Sequence, residues 1–153
     1  MRVSECRGAC LLSVLASLLV FLPACARGSF ANFTSANDGS ALVGNWIGES
    51  ICVGDHPACH DEKVIYRIKQ PPDAAGNVEI SADKIVDGKP ENMGVIRCKY
   101  DGEKKTLTGD LESPRYKGVW EFAVRGDTIE GTLTVLPEKT VARRIKVKKE
   151  AAR

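Results

Sequence analysis

From Asn45 to Lys149 the chain is a succession of short runs in which apolar and polar residues alternate, each cut off by a turn signal. A period of two marks a strand that buries one face and wets the other. The clearest run, YKGVWEFAV at 116–124, puts Gly118, Trp120, Phe122 and Val124 on one side. Gly126-Asp127 reverses the chain, and TIEGTLTVL at 128–136 returns with Ile129, Gly131, Leu133 and Val135 on the matching side. After Pro137-Glu138-Lys139, TVARRIKVKK at 140–149 sets Val141, Ile145 and Val147 against a charge-rich opposite face. Upstream lie NWIGESICV (45–53), KVIYRIKQ (63–70), VEISADKIV (78–86), MGVIRCKY (93–100) and KTLTGDLE (105–112). Gly54-Asp55-His56-Pro57, Pro71-Pro72-Asp73, Asp87-Gly88, Asp101-Gly102 and Ser113-Pro114 separate or end them, as turn formers do. No window carries a helical stripe.

Eight short antiparallel strands with tight links predict an all-β fold, an eight-stranded antiparallel up-and-down barrel. A barrel leaves no strand edge open. Two packed sheets, a small β-sandwich, satisfy the same alternation. The runs are too short and too often broken by charge for a membrane-spanning barrel.

The first residues follow a different rule. Leu11 to Leu22 (LLSVLASLLVFL) is nearly all apolar, follows Arg2 and Arg7, and runs into Ala24-Cys25-Ala26. A basic start, an apolar run of this length and a small-residue cleavage site describe an export signal. The run is shorter than the roughly 20 residues that cross a bilayer. Two processing routes fit. Cleavage after Ala26 leaves a chain starting at Arg27. Leu22-Pro23-Ala24-Cys25 also resembles the lipobox of bacterial lipoproteins, in which the cysteine thiol is lipidated; Cys25 would then anchor the protein to a membrane. The expected organisation is an export signal at 1–26, a flexible lead-in at 27–42, a barrel domain at 43–149 and a tail at 150–153. The location is periplasmic or secreted, or membrane-anchored through Cys25.

Beyond the leader the charges balance. Removing Arg2, Arg7 and Glu5 from the 22 basic and 20 acidic residues leaves 20 against 19, so nothing global points to nucleic acid. The end of the chain is locally basic: Arg143, Arg144, Lys146, Lys148, Lys149 and Arg153 stand against Glu150 alone. It can serve a partner of opposite charge, or simply be a strand with lysines on its wet face. Three cysteines remain in the domain. Cys52 and Cys59 bracket VGDHPA, whose glycine and proline turn the chain, and export permits a disulfide between them. Cys98 is then left over, the alternative being that it pairs with one of those two; it shares the alternation face of Ile96 and Tyr100, which predicts a buried, inert thiol.

Gly44-Asn45-Trp46 opens the first strand and basic residues sit on the last one. This resembles the calycins, the lipocalins and related small ligand-binding barrels. The resemblance implies that the Trp46 indole packs beneath a basic side chain from the final strand, closing one end. Arg143 matches that role by its inward parity, with Arg144 as the alternative. An indole covered by a cation plugs a barrel end while keeping the charge near water.

Residues suited to chemistry are few. His56 and His60 are the only histidines, in the patch DHPACHDE. His56, Cys59 and His60 have the donor types for zinc, but a disulfide would consume a ligand. No serine sits in a nucleophile elbow, and no phosphate loop, dinucleotide fingerprint or HExxH is present. The expectation is no catalytic residue, no metal and no cofactor. The leading reading is a non-enzymatic exported barrel binding a small hydrophobic molecule or lipid, with Trp46, Tyr66, Ile68, Trp120, Phe122, Leu133 and Arg143 as the ligand-binding set. The alternative is a solid-core protein-interaction module, an inhibitor or assembly factor, working through the 52–59 loop or the basic last strand.

Overall fold

The structure is a computed structural model that describes residues 38–54, 58–114 and 116–151. A short 3-10 turn, Ser40–Leu42, leads into eight strands: β1 (Gly44–Cys52), β2 (Glu62–Ile68), β3 (Asn77–Val86), β4 (Lys89–Asp101), β5 (Thr106–Glu112), β6 (Lys117–Arg125), β7 (Thr128–Leu136) and β8 (Thr140–Lys149). Each pairs antiparallel with the next, and β8 closes back on β1, giving an up-and-down barrel and not a sandwich. Among the described residues no helix is long and apolar enough to cross a membrane.

The alternation becomes the inside and outside of the wall. Trp46, Val64, Tyr66, Ile68, Val78, Ile80, Cys98, Leu107, Trp120, Phe122, Ile129, Leu133, Ile145 and Val147 form one buried cluster. Inward glycines make room for the large rings. A methyl group on Gly131 would lie 2.3 Å from Phe122 Cδ1, so the ring occupies the space that a side chain at 131 would fill. Leu133 fits against Gly118, and the Cys98 sulfur against Gly109, in the same way.

Two features differ from the sequence reading. Leu42 is fully buried in the core and Gly39 lies against Pro72 and Tyr100, so the end of the stretch expected to be a flexible lead-in packs with the barrel. β4 begins at Lys89, four residues before the run that alternation marks, because pairing with β3 carries Lys89 to Asn92 as strand despite Pro90 and the local charge. A bulge lies between Asn92 and Gly94, opposite Ala82 and Asp83. Beside it, on the outer face, Asp83 is almost fully buried, ion-paired with Arg67 and bonded by Asn92 Nδ2 at 2.8 Å. Both partners offset the cost of desolvating that carboxylate.

Candidate functional site

The barrel has two unlike ends. At the entry end the chain crosses the opening before it becomes β1. Gly39 packs against Pro72 and Tyr100, and Leu42 fills the mouth. The indole of Trp46 is fully buried and its Nε1–H donates to Leu42 O at 2.8 Å. Lys149 lies over it: Nζ is 5.5 Å from the ring centroid and donates to Ala41 O at 2.6 Å. Gly44, at φ +139°, lets that lysine pass, since a side chain there would meet Lys149 Cε at 2.9 Å. The glycine and the tryptophan thus belong to one device, in which a lysine stem runs over the glycine to reach the ring.

The covering cation is therefore Lys149, not Arg143 or Arg144. Register decides it. Trp46 stands opposite Lys149, whereas Arg143 stands opposite Cys52. Six residues along a strand is roughly 20 Å, so Arg143 belongs to the other end. Arg144 is exposed and stands opposite Ile51.

At the disulfide end Arg143 ties three strands together. Its Nη1 donates to Ser50 Oγ at 3.0 Å and pairs with Glu62 Oε2 at 3.1 Å; Nη2 donates to His60 O at 3.3 Å. Cys52 and Cys59 form the expected disulfide, with Cα atoms 6.0 Å apart. Asp61 Oδ1 accepts the Cys52 N–H at 2.8 Å. Of the donor patch, Cys59 is oxidised, Asp61 caps the strand end and Glu62 holds Arg143. Among the described residues no group of histidine, cysteine and carboxylate side chains is arranged to hold a metal. His56 and Cys25 lie outside the described residues.

Of the remaining members of the expected ligand-binding set, the three aromatic residues pack on one another inside the barrel. Trp120 and Phe122 stack with centroids 5.7 Å apart, and Tyr66 meets Phe122 edge-on at 6.3 Å. Leu133 and Ile68 are buried, and Trp120 is 8% exposed. Burial raises the Tyr66 phenol far above its usual range; Arg143 opposes that, and Glu62 and Cys98 add to it. Burial likewise pushes the Cys98 thiol up to about 12. Both groups stay protonated and inert at neutral pH.

Two hollows lie on the outside. One, of about 770 Å3, crosses the outer wall of β5 to β8 and β1, with Ile51, Arg125, Arg144, Glu121 and Glu130 on its lining. Another, of about 930 Å3, follows the outer face of β3 and β4. Sequence reading missed the exposed isoleucines of β1, Ile47 and Ile51, which are 44% and 38% exposed. Their signal was present in NWIGESICV, where both sit at the polar parity.

No protein-family model matches the chain, and the curated proteins give no match to it.

Proposed function

We propose that the protein is a non-enzymatic exported interaction module, a solid-core barrel that engages a partner through its outer wall at the basic last strand. The observation that carries this reading is the pairing of exposed apolar and cationic side chains on β1 and β8. Ile47 stands opposite Lys148, and Ile51 opposite Arg144. Lys148 and Arg144 are exposed and form no ion pair with the described residues, whereas Lys146 between them pairs with Glu130 at 2.8 Å. Exposed apolar side chains ringed by unpaired charge are what an interaction surface presents. The packed aromatic centre supports the same choice. A small apolar ligand would have to displace the Trp120–Phe122 stack, because those rings occupy the space it would need. The disulfide favours an oxidising compartment and so agrees with an export signal at 1–26. The Lys149-covered Trp46 supports a likeness to the calycins at the level of fold, which does not itself assign a function.

The test is photo-cross-linking in a host that exports the full chain. A benzophenone side chain at Ile51 should give a discrete protein adduct, and one at Glu103 in the β4–β5 turn should not. Native mass spectrometry of the same material settles the competing reading. A small apolar molecule that co-purifies, and is lost on denaturation, would overturn the proposal in favour of a ligand-binding barrel.

A further inference from the structure

β4 is less completely paired than its neighbours. It is 13 residues long, but β5 meets only its last three: Lys99 with Thr108, Tyr100 with Leu107 and Asp101 with Thr106. The other edge stays paired with β3 out to Lys89. Among the described residues, 89–96 therefore have a strand neighbour on one side only. The main chain shows which groups face the open side. The Tyr100 N–H is bonded to Gly76 O, on the β3 side, and the Arg97 carbonyl lies against Gly109 of β5. Alternation turns the N–H and C=O of Val95 the same way as those of Arg97, beyond the point where the β5 ladder ends. An unpaired strand edge is a template for another strand.

The side chains say what kind of strand. Val95 and Met93 are 48% and 43% exposed, at positions where a protected edge would carry charge. On either side stand Lys89 and Lys99, exposed and without an ion pair among the described residues, Lys99 facing the Asp73 carboxylate at longer range. The cation and the acid between them are already neutralised, Arg97 by Glu79 at 3.1 Å and Glu91 by Lys84 at 3.6 Å. The hollow of about 930 Å3 runs beside this edge, with Val95, Arg97, Lys99, Thr108 and Asp110 on its lining.

We infer that the Lys89–Val95 edge of β4 is a docking site for an extended acidic polypeptide strand. The incoming segment pairs main chain to main chain with β4. It is apolar at its centre, against Met93 and Val95, and carries carboxylates at its ends, against Lys89 and Lys99. The open edge from Lys89 to Val95 is about 20 Å long at strand rise, which fits a paired segment of roughly seven residues whose far end reaches toward the Lys99 side chain. A second copy of the chain fits less well. Antiparallel pairing of two open edges about Asn92 sets Lys89 of each copy opposite Val95 of the other, so neither lysine gains a carboxylate. Pro90 and the bulge at Met93 also shorten the flat edge, which suits a short peptide better than a long sheet-to-sheet contact.

The test uses the isotope-labelled full chain and two synthetic peptides, EETVTVTVEE and the same sequence with lysine for every glutamate. The acidic peptide should slow amide exchange at Val95 by about fivefold or more. It should bind about tenfold more tightly than the basic one, as two partly exposed ion pairs allow. Lys99→Glu should erase most of that preference. Val95→Pro, which removes the edge amide, should abolish binding while the ring-shifted core resonances stay in place; if that variant does not fold, the Lys99→Glu comparison still decides. Absence of protection at millimolar peptide, equal affinities for the two peptides, or binding undiminished in Val95→Pro would each overturn the inference. So would protection of Val95 that rises with protein concentration alone, which would give the edge to a second copy.

Discussion

Replacing Lys149 by methionine tests how the entry end is held shut. The amine makes two contacts that methionine cannot, one over the Trp46 ring and one with Ala41 O. A cation–π contact at a partly exposed site is worth about 0.5–1 kcal/mol. A hydrogen bond from a charged donor contributes about 1.5 kcal/mol at the lower end of its range, which applies here because the freed carbonyl can be rehydrated. Methionine keeps most of the stem that lies over Gly44. The expected loss is therefore about 2 kcal/mol, or roughly 1 M in the urea midpoint for a slope near 2 kcal/mol/M. Lys149→Arg keeps both contacts and should stay within about 0.5 kcal/mol of the parent. The assay is equilibrium urea unfolding, with the Trp46 indole N–H followed by NMR. That resonance should move in Lys149→Met and hold still in Arg143→Met, whose side chain is at the opposite end. A Lys149→Met protein as stable as the parent would refute the reasoning, as would an indole signal that answers to Arg143.

Three further outcomes follow from the packing. Gly131→Ala places a methyl 2.3 Å from Phe122 Cδ1 and 2.6 Å from Glu121 O; it should cost about 3 kcal/mol in thermal or urea unfolding, the upper end for overpacking. Cys98 is buried with its thiol pushed up to about 12, so in the folded protein at pH 8 it should react with a thiol reagent only as fast as the barrel opens, and at once in denaturant. Replacing Cys52 and Cys59 together by serine should lower stability by about 2.5 kcal/mol, the loop entropy of a closure this short, and leave the Trp46 indole resonance unmoved.

The sequence carries the wall of the barrel more plainly than it carries its ends. Inward parity at Trp120, Phe122, Leu133 and Ile145 is a local property of each strand, and all four are in the core. The partner of Trp46 is not local. Arg143, Ile145, Val147 and Lys149 share one parity on β8, and only the β1–β8 register selects the lysine. Alternation leaves that register open, because a shift of two residues keeps every side chain on its face. The ends of β4 were hidden for a similar reason. Pro90, Glu91 and Asn92 fall outside the alternating run, yet the ladder from β3 carries them into the strand. Leu42 gave too little warning: a single leucine after a polar, small-residue stretch has no period, and only the closed barrel shows the mouth that it fills. Ile47 and Ile51 break the polar parity of β1 and could have been noticed as the apolar part of an outer surface.

The choice between a hollow container and a solid module comes down to Phe122. Its ring touches Trp120 and Tyr66 and fills the space over Gly131. Phe122→Ala removes that ring from the middle of the barrel. The expected cost is about 3–5 kcal/mol, because the neighbouring strands are fixed by their ladders and relax only in part. The space left is apolar, and an apolar space of this kind stays dry and takes up benzene or xenon. The variant should therefore bind benzene, seen as a rise in melting temperature with benzene concentration and as shifts of the Trp120 resonances. The parent protein should show neither, since its rings already occupy that volume. Benzene uptake by the parent equal to that of Phe122→Ala would mean that the interior opens readily, and would restore the apolar-ligand reading. Uptake confined to the variant would leave the outer wall as the working surface.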